Sequence, residues 1–179
     1  SLKETHVKQA MKELLIAIEY LHKLDYAHRD VKPDNVLLKV IPSEKEGEPD
    51  EVKVILVDYN IAKKAKSYRF KTDDDSKEPE DVRFRCNYLT HIASQNSQAP
   101  ELFKSGYYSE SVDIWGAGLV FYTLLTGEKI KRGEQTMIKE QLDDIKNISD
   151  SGRELIHSMF NFEGDKRPTA TEALKHPWF

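Results

Sequence analysis

A short polar run near the start of the chain holds residues that could transfer a phosphoryl group. Asp30, Lys32 and Asn35 lie in one short stretch, and Asp58 follows an apolar run further along. Phosphoryl transfer requires a carboxylate that orients the attacking hydroxyl, a nearby cation and oxygen ligands for Mg²⁺. Because Mg²⁺ keeps several waters, one carboxylate and one amide from the protein can be enough. These four residues have that chemistry, although each alone is more often a turn former.

The spacing of the run is more informative than any one of its members. Residues 28–35 read His-Arg-Asp-Val-Lys-Pro-Asp-Asn. In this run His, Arg, Asp, Lys and the final Asn fill the fixed positions of a known phosphotransferase signature. Because agreement at so many fixed positions rarely arises by chance, the run predicts a catalytic loop rather than an ordinary turn.

The elements around this run are predicted to be mainly helical, with a small β element beside the loop. Apolar residues from Val7 to Leu21 recur every three or four positions and predict a long amphipathic helix. The β-branched runs 36–40 and 52–57 predict two paired strands, joined by an exposed polar extension. Such a hairpin would return Asp58 to the loop that holds Asn35.

The second half of the chain predicts three further helices after a long irregular segment. Residues 63–98 show no clear period and carry acidic runs, which is typical of a functional or disordered loop. An apolar stretch predicts a buried central helix that Ser109 caps and Gly127 ends. Two more helices are predicted, one around residues 155–160 and one opening at a capping box on Thr169.

Composition and charge indicate one folded domain. The chain has 179 residues, of which 39% are hydrophobic and 32% charged, as in globular domains with a real core. A net charge of −4 gives no reason to expect a nucleic-acid partner. No apolar run reaches the length of a membrane span and no signal-peptide pattern opens the chain, so no membrane partner is expected. The single Cys86 favours a reducing, intracellular and cytoplasmic location.

Together the motifs resemble the C-terminal lobe of a eukaryotic-type serine/threonine protein kinase. Besides the loop, the sequences that carry the resemblance are Ala99-Pro100-Glu101, Asp113-Ile-Trp-Gly-Ala-Gly118, Arg167-Pro168-Thr169 and the ending His176-Pro177-Trp178-Phe179. Their order and spacing are those of the family. The resemblance implies a protein kinase catalytic domain over residues 1–179, mainly α with a small β element, within an α+β family fold.

The resemblance also implies ATP and Mg²⁺ as cofactors, a protein as substrate and a role for each matching residue. Asp30 is the expected catalytic base. Lys32 is expected to face the transferred phosphate of ATP, in the form typical of serine/threonine kinases. Asn35 and Asp58 are the expected magnesium ligands beside the nucleotide, and Leu37 is expected to lie under the adenine.

Regulatory and structural roles follow from the same resemblance. Arg29 is expected to bind a phosphate on the activation segment, because a guanidinium suits bidentate phosphate binding. Thr90 is the expected phosphorylation site, and Ser94 is expected to contact the catalytic residues. The residues expected to be structural are Glu101 and Arg167, as an interior ion pair, and Asp113, as a link between the central helix and the loop.

Some features depart from the family pattern. Tyr59 and Asn60 stand where the family has Phe and Gly, and Asn adopts positive φ less freely than Gly. The sequence also lacks a glycine-rich phosphate loop, a strand lysine and an adenine hinge. The N-terminal lobe is therefore expected to be a missing partner, and the chain alone to be inactive. A pseudokinase-type binding or scaffold protein stays open as the alternative, and a small-molecule phosphotransferase is a third, which the Ala-Pro-Glu motif disfavours.

Overall fold

Helices dominate the computed structural model, which describes residues 2–44, 50–64, 84–85, 98–104, 107–131 and 133–179. The helices of this part are α1 (Glu4–Lys23), α2 (Glu101–Lys104), α3 (Ser111–Thr126), α4 (Gln135–Asp143), α5 (Asp150–Met159) and α6 (Ala170–Leu174). The strands are β1 (Tyr26–Ala27), β2 (Val36–Ile41), β3 (Glu51–Leu56), β4 (Lys63–Lys64), β5 (Phe84–Arg85) and β6 (Tyr107–Tyr108). The prediction of a mainly helical chain with a small β element is confirmed. None of the described helices is both long and apolar enough to cross a membrane.

Helix α3 is the centre of the hydrophobic core. Every residue from Val112 to Tyr122 is buried, since apolar side chains surround the helix on all sides. Helices α1 and α5 both pack against it. Trp178, near the end of the chain, packs on Phe121 of α3 with ring centroids 4.5 Å apart. This burial makes α3 a rigid support for whatever contacts its first turns.

Of the two predicted ends of α3, the C-terminal end agrees with the structure and the N-terminal end does not. The helix begins at Ser111, so the predicted cap by Ser109 is wrong in position; Ser109 Oγ instead accepts a hydrogen bond from the Ser111 N–H over 3.3 Å. Gly127 ends the helix with a left-handed φ of 80°, as predicted. Helix α4 was not predicted; it is short, and only two of its side chains, Ile138 and Leu142, are buried.

Glu4, at the start of α1, links both ends of the chain. Its Oε1 accepts hydrogen bonds from the Ser149 N–H (3.1 Å), the Ser149 hydroxyl (2.6 Å) and Trp178 Nε1 (2.8 Å). Partial burial opposes ionisation, but these hydrogen bonds outweigh it and lower the pKa of Glu4 below its ordinary value. The capping box predicted at Thr169 is also present, formed with Glu172.

The hairpin of β2 and β3 delivers the chain back to the loop. The strands are antiparallel, with Val36 opposite Leu56, which confirms the predicted pairing. Val52 and Leu56 are buried, and β3 packs along α1. The Val52 N–H donates to Gln9 Oε1 of α1 over 3.1 Å. These contacts fix β3 on α1. Because the strands are antiparallel, the end of β3, which Asp58 follows, lies beside the start of β2, which follows the loop.

Candidate active site

The Asp30 carboxylate lies at the centre of a short network formed by three of the predicted residues. Lys32 Nζ lies 2.7 Å from Asp30 Oδ2, and Asn35 Nδ2 donates to the same oxygen over 2.8 Å. Asn35 Nδ2 also donates to the Asp30 carbonyl over 2.8 Å. In the part of the chain that the structure describes, no hydrogen bond reaches Asp30 Oδ1. That oxygen is therefore the one able to accept a hydrogen bond from a substrate hydroxyl.

A single turn brings Asn35 back to Asp30. Residues Pro33–Asn35 form one turn of 3₁₀-helix, in which the proline ring fixes φ at a helical value. The Asn35 N–H donates to the Lys32 carbonyl over 3.0 Å. The turn reverses the chain, so a side chain five positions after Asp30 reaches its carboxylate.

The loop before Asp30 is attached to the buried carboxylate of Asp113 in α3. Asp113 has no exposed surface and accepts from the backbone N–H of His28 (2.8 Å) and of Arg29 (2.7 Å). The His22 ring nitrogen Nε2 lies 2.9 Å from the same carboxylate. Arg29 has a φ of 72°, a strained angle for a residue other than glycine that costs on the order of 1–3 kcal/mol. Two charge-assisted bonds to Asp113 offset that cost.

His22 was missed by the sequence reasoning. It lies in the last turn of α1, on a helix whose pattern was interpreted only as apolar packing. The available signal was that His22, a polar residue, lies four positions after the buried Ile18 and so continues the buried face of α1. The structure shows that this side chain completes the environment of Asp113, 91 residues away in sequence.

Residue Val57 connects the strand end to the loop through both of its backbone groups. Its N–H donates to the Asn35 carbonyl over 2.9 Å. Its carbonyl lies 3.1 Å from His28 Nε2. Because His28 Nδ1 accepts from the Asp30 N–H over 3.3 Å, the neutral ring carries its proton on Nε2 and donates to Val57. Asp58 therefore directly follows a residue that is hydrogen-bonded to Asn35.

A glycine lets α3 approach the loop closely. A Cβ added to Gly116 would collide with the carbonyl oxygen and the Cβ of Val31. Glycine within a helix costs about 1 kcal/mol relative to alanine. The cost is offset because the loop can lie directly on the buried helix, where Val31 itself is 4% exposed.

The turn after Val57 is held much less firmly. Asp58 is exposed, and within the described residues its carboxylate accepts one long hydrogen bond, from the Asn60 N–H to Oδ1 over 3.4 Å. The Tyr59 ring meets the His28 ring edge-on, with centroids 4.7 Å apart. Asn60 does not have a positive φ; the left-handed residue of this turn is Asp58, with a φ of 64°.

The donor set fits the magnesium ion that the sequence implied. Asn35 directs its amide nitrogen to Asp30, which leaves the amide oxygen to serve as a ligand. Asp58 supplies an exposed carboxylate, and both are the hard oxygen donors that Mg²⁺ prefers. Within the described ranges, no three His, Cys, Asp or Glu residues form a metal cluster. One carboxylate with one amide is the set available here.

Leu37 lies on the outer, exposed face of the hairpin. It is 56% exposed and pairs across the strands with Ile55, which is 61% exposed. The alternation of a strand places the residues on either side of Leu37 toward the other face. The hairpin therefore presents a small apolar surface close to Asn35.

A charge pair beside the loop was not predicted. Lys129, in the segment after α3, donates to both carboxylate oxygens of Asp34 over 3.0 Å each. The hydrogen bond from Lys129 lowers the pKa of Asp34. The side chains are 71% and 56% exposed. No local sequence signal could reveal the pair, because its members lie 95 residues apart.

Arg167 and Glu101 form a bidentate ion pair away from the loop. Both N···O distances are 2.7 Å, and Arg167 is buried. The guanidinium also donates to the carbonyls of Asn161 (2.7 Å) and Ser111 (3.0 Å) and lies 5.0 Å from the Trp115 ring centroid. These partners lie in α2 (Glu101), in α3 (Ser111 and Trp115) and just after α5 (Asn161), so Arg167 connects three helices.

The regulatory residues are only partly within the described chain. The Arg29 guanidinium lies over the Tyr108 ring, 5.6 Å from its centroid. Thr90 and Ser94, like Cys86, lie outside the described residues. The expected binding of a phosphate by Arg29 stays a prediction.

Comparisons with known proteins give the chain relatives over its whole length. Residues 1–179 match the model of the protein kinase domain family. The chain is 28% identical to the serine/threonine-protein kinase RAD53 of Saccharomyces cerevisiae (96% of this chain, 21% of that protein). It is 30% identical to the calcium/calmodulin-dependent protein kinase cmkA of Emericella nidulans (98% and 39%). It is 29% identical to the DNA damage response protein kinase DUN1 of Saccharomyces cerevisiae (99% and 35%). The chain thus spans 21–39% of the length of these relatives.

Proposed function

The chain belongs to the protein kinase domain family, and we propose that the protein containing it transfers the γ-phosphate of ATP to serine or threonine residues of protein substrates. The observation that carries the proposal is the Asp30 carboxylate, which Lys32 and Asn35 hold through one oxygen while the other is left for a substrate. The names of the relatives, all of them protein kinases, support protein phosphorylation at a general level.

The proposed reaction uses few groups of this chain. The substrate hydroxyl donates to Asp30 Oδ1 and attacks the γ-phosphorus; the new P–O bond forms as the bond to the β,γ-bridging oxygen breaks, and Asp30 receives the hydroxyl proton. The Lys32 ammonium lies beside the developing charge. Mg²⁺, when bound, neutralises phosphate charge, and Asn35 and Asp58 are the residues that would hold it.

Other contacts to ATP are assigned to groups outside this chain. The sequence has no glycine-rich phosphate loop and no adenine hinge, and the apolar surface at Leu37 is an exposed strand face. A nucleotide site needs a concave pocket that buries most of the ligand. The proposal is therefore that the isolated chain folds but does not catalyse. We also propose that the whole protein acts in the cytoplasm. Micromolar binding of Mg-ATP to the isolated chain, measured by calorimetry, would contradict this part.

A pseudokinase-type binding protein is the second candidate. The observation that favours it is the turn at Asp58, where Tyr59 and Asn60 replace the usual residues and the carboxylate has one long hydrogen bond. A protein of this kind would keep the fold and bind partners without transferring phosphate.

Phosphate transfer by the whole protein separates the two candidates. The wild-type protein, given labelled ATP and Mg²⁺, is expected to label a protein substrate, and Asp30→Asn is expected to slow this by about 10²- to 10⁴-fold. The matched control is Asp144→Asn, the same change at an exposed carboxylate after α4. Wild-type rates in Asp30→Asn would refute the role of Asp30. Absence of transfer by wild-type protein that still binds Mg-ATP would favour the pseudokinase.

A further inference from the structure

One of the three methionines of the chain lies at the surface. Met137, in the first turn of α4, is 49% exposed, whereas Met11 and Met159 have no exposed surface and belong to the hydrophobic core. Peroxides convert a methionine thioether to a sulfoxide, but only if they reach the sulfur. The structure therefore distinguishes Met137 as the methionine of this chain that an oxidant can reach without unfolding it.

The sulfur of Met137 packs on the backbone of the α3–α4 connection, which comprises residues 127–134 and is described except at position 132. A Cβ built on Gly133 would lie 2.7 Å from Met137 Sδ and 2.9 Å from Met137 Cβ. The thioether thus fills the space that a side chain at position 133 would take. No room is left between the sulfur and the glycine backbone for a further heavy atom.

The same connection is also attached to α4 by the side chain of Gln141. Its Oε1 accepts from the Lys131 N–H over 2.7 Å, and its Nε2 donates to the carbonyls of Lys131 (2.8 Å) and Met137 (3.0 Å). The methionine contact and these hydrogen bonds therefore hold one small unit together. Lys129 of the connection donates to Asp34, so this unit is joined to the segment that carries the candidate active site.

We propose that Met137 is a site of reversible oxidation by hydrogen peroxide, and that its oxidation weakens the attachment of the α3–α4 connection to α4. The Sδ lone pair attacks one peroxide oxygen, and the S–O bond forms as the O–O bond breaks. The proton of the transferred oxygen passes to the departing hydroxide, which leaves as water. Sulfur is oxidised by two electrons, and a methionine sulfoxide reductase supplied with a dithiol reverses the change.

The effect on the connection follows from the lack of space beside Gly133. The sulfoxide is polar and carries one more oxygen than the thioether, so the side chain leaves its contact with the glycine backbone. The connection keeps the Gln141 hydrogen bonds but loses apolar packing, and the Lys131 N–H is then released more often in local opening. This inference is independent of the proposed function, because it concerns a modification of the chain and not phosphate transfer.

The test treats the whole protein with hydrogen peroxide and follows each methionine by peptide mass spectrometry. In folded protein Met137 is expected to be oxidised about tenfold or more faster than Met11 and Met159, which react only when the core opens. In urea-unfolded protein the three should react at similar rates. Amide exchange at Lys131 is expected to become about three- to fourfold faster after oxidation, as when the packing of one methylene group is lost. Reductase treatment should restore the original exchange rate.

Two variants separate this effect from general damage by the oxidant. Met137→Leu keeps a similar apolar volume without the sulfur, so peroxide should not change its exchange at Lys131. Met137→Gln puts a polar group in the same place and should exchange faster at Lys131 without any peroxide. Equal oxidation of the three methionines in folded protein would overturn the assignment of Met137. Unchanged exchange at Lys131 in the oxidised protein, or an equal peroxide response in Met137→Leu, would overturn the effect on the connection.

Discussion

The two halves of the candidate site are held in different ways. The loop from His28 to Asn35 lies on the buried helix α3, where Asp113 accepts two of its backbone N–H groups. The turn that carries Asp58 is exposed and has a left-handed φ of 64°. It has a long hydrogen bond from the Asn60 N–H to Asp58 Oδ1 and a 3.0 Å hydrogen bond from the Ala62 N–H to the Tyr59 carbonyl. Among the described residues, the contacts of this segment with the loop are the two backbone hydrogen bonds of Val57 and the edge-on contact of the Tyr59 ring with His28.

This difference corresponds to two separate tasks, which are orienting the substrate hydroxyl and binding the metal ion. A carboxylate that orients a hydroxyl must be preorganised, because small displacements reduce the rate strongly. A metal ligand can complete its geometry when the ion and nucleotide arrive. The chain therefore fixes the position of Asp30 through its own core and leaves Asp58 comparatively free, within the part of the molecule described here.

The largest effect is expected from Asp113→Ala, which removes the attachment of the loop to α3. It leaves the N–H groups of His28 and Arg29 without their acceptor, and each buried donor left unsatisfied costs about 1–3 kcal/mol. Chemical unfolding should show this loss in the free energy of unfolding. A matched change at an exposed carboxylate, Asp144→Ala, should cost little. A loss under about 1 kcal/mol in Asp113→Ala would mean that α3 does not hold the loop.

Gly116→Ala also tests whether α3 holds the loop, by adding a methyl group between them instead of removing a charge. The added methyl group would meet the Val31 carbonyl and side chain, and overpacking of this kind typically costs about 1–3 kcal/mol. We expect a lower thermal midpoint together with reduced phosphate transfer by the whole protein. An unchanged midpoint would show that the loop can move away from α3 without cost.

The loop could be predicted from the sequence because its chemistry is local. Asp30, Lys32 and Asn35 are close in sequence, and Pro33 predicts the turn that brings them together. The paired strands that return Asp58 were also visible, since their β-branched runs are short and bounded by polar residues. Asp113 followed from a family motif rather than from any local pattern.

The remaining contacts could not be predicted because they depend on tertiary structure. Asp113 meets His22 across 91 residues and Lys129 meets Asp34 across 95, and nothing in either local sequence specifies such a partner. The backbone angle at Asp58 is a further example. The sequence drew attention to position 60, where glycine is replaced, but the loop geometry places the left-handed residue two positions earlier.

Asn60→Gly tests the backbone conformation of the turn that follows Asp58. Because Asn60 has an ordinary negative φ, glycine gains nothing in the folded state and adds freedom to the unfolded chain. We expect a loss of about 0.4–1 kcal/mol in the free energy of unfolding. A gain in stability would show instead that position 60 requires a left-handed angle.

The smallest expected effect provides a reference outside both regions. The folded-state pKa of Glu4 is below its ordinary value of 4.5, so the stability that Glu4 contributes is present above that value and is lost as pH falls through the folded pKa. Unfolding measured from pH 7 into the acid range should decline less steeply in Glu4→Gln than in wild-type protein. Parallel curves would indicate that Glu4 contributes no pH-dependent stability.

Amide hydrogen exchange tests the central claim most directly. The loop amides of His28 and Arg29 donate to a buried carboxylate, whereas the Asn60 amide has only a long bond in an exposed turn. We predict that the first two exchange only when the chain unfolds globally, while the Asn60 amide exchanges close to the rate of an unprotected peptide. Similar, fast exchange at all three amides would contradict the account, because the loop would then be no better held than the turn.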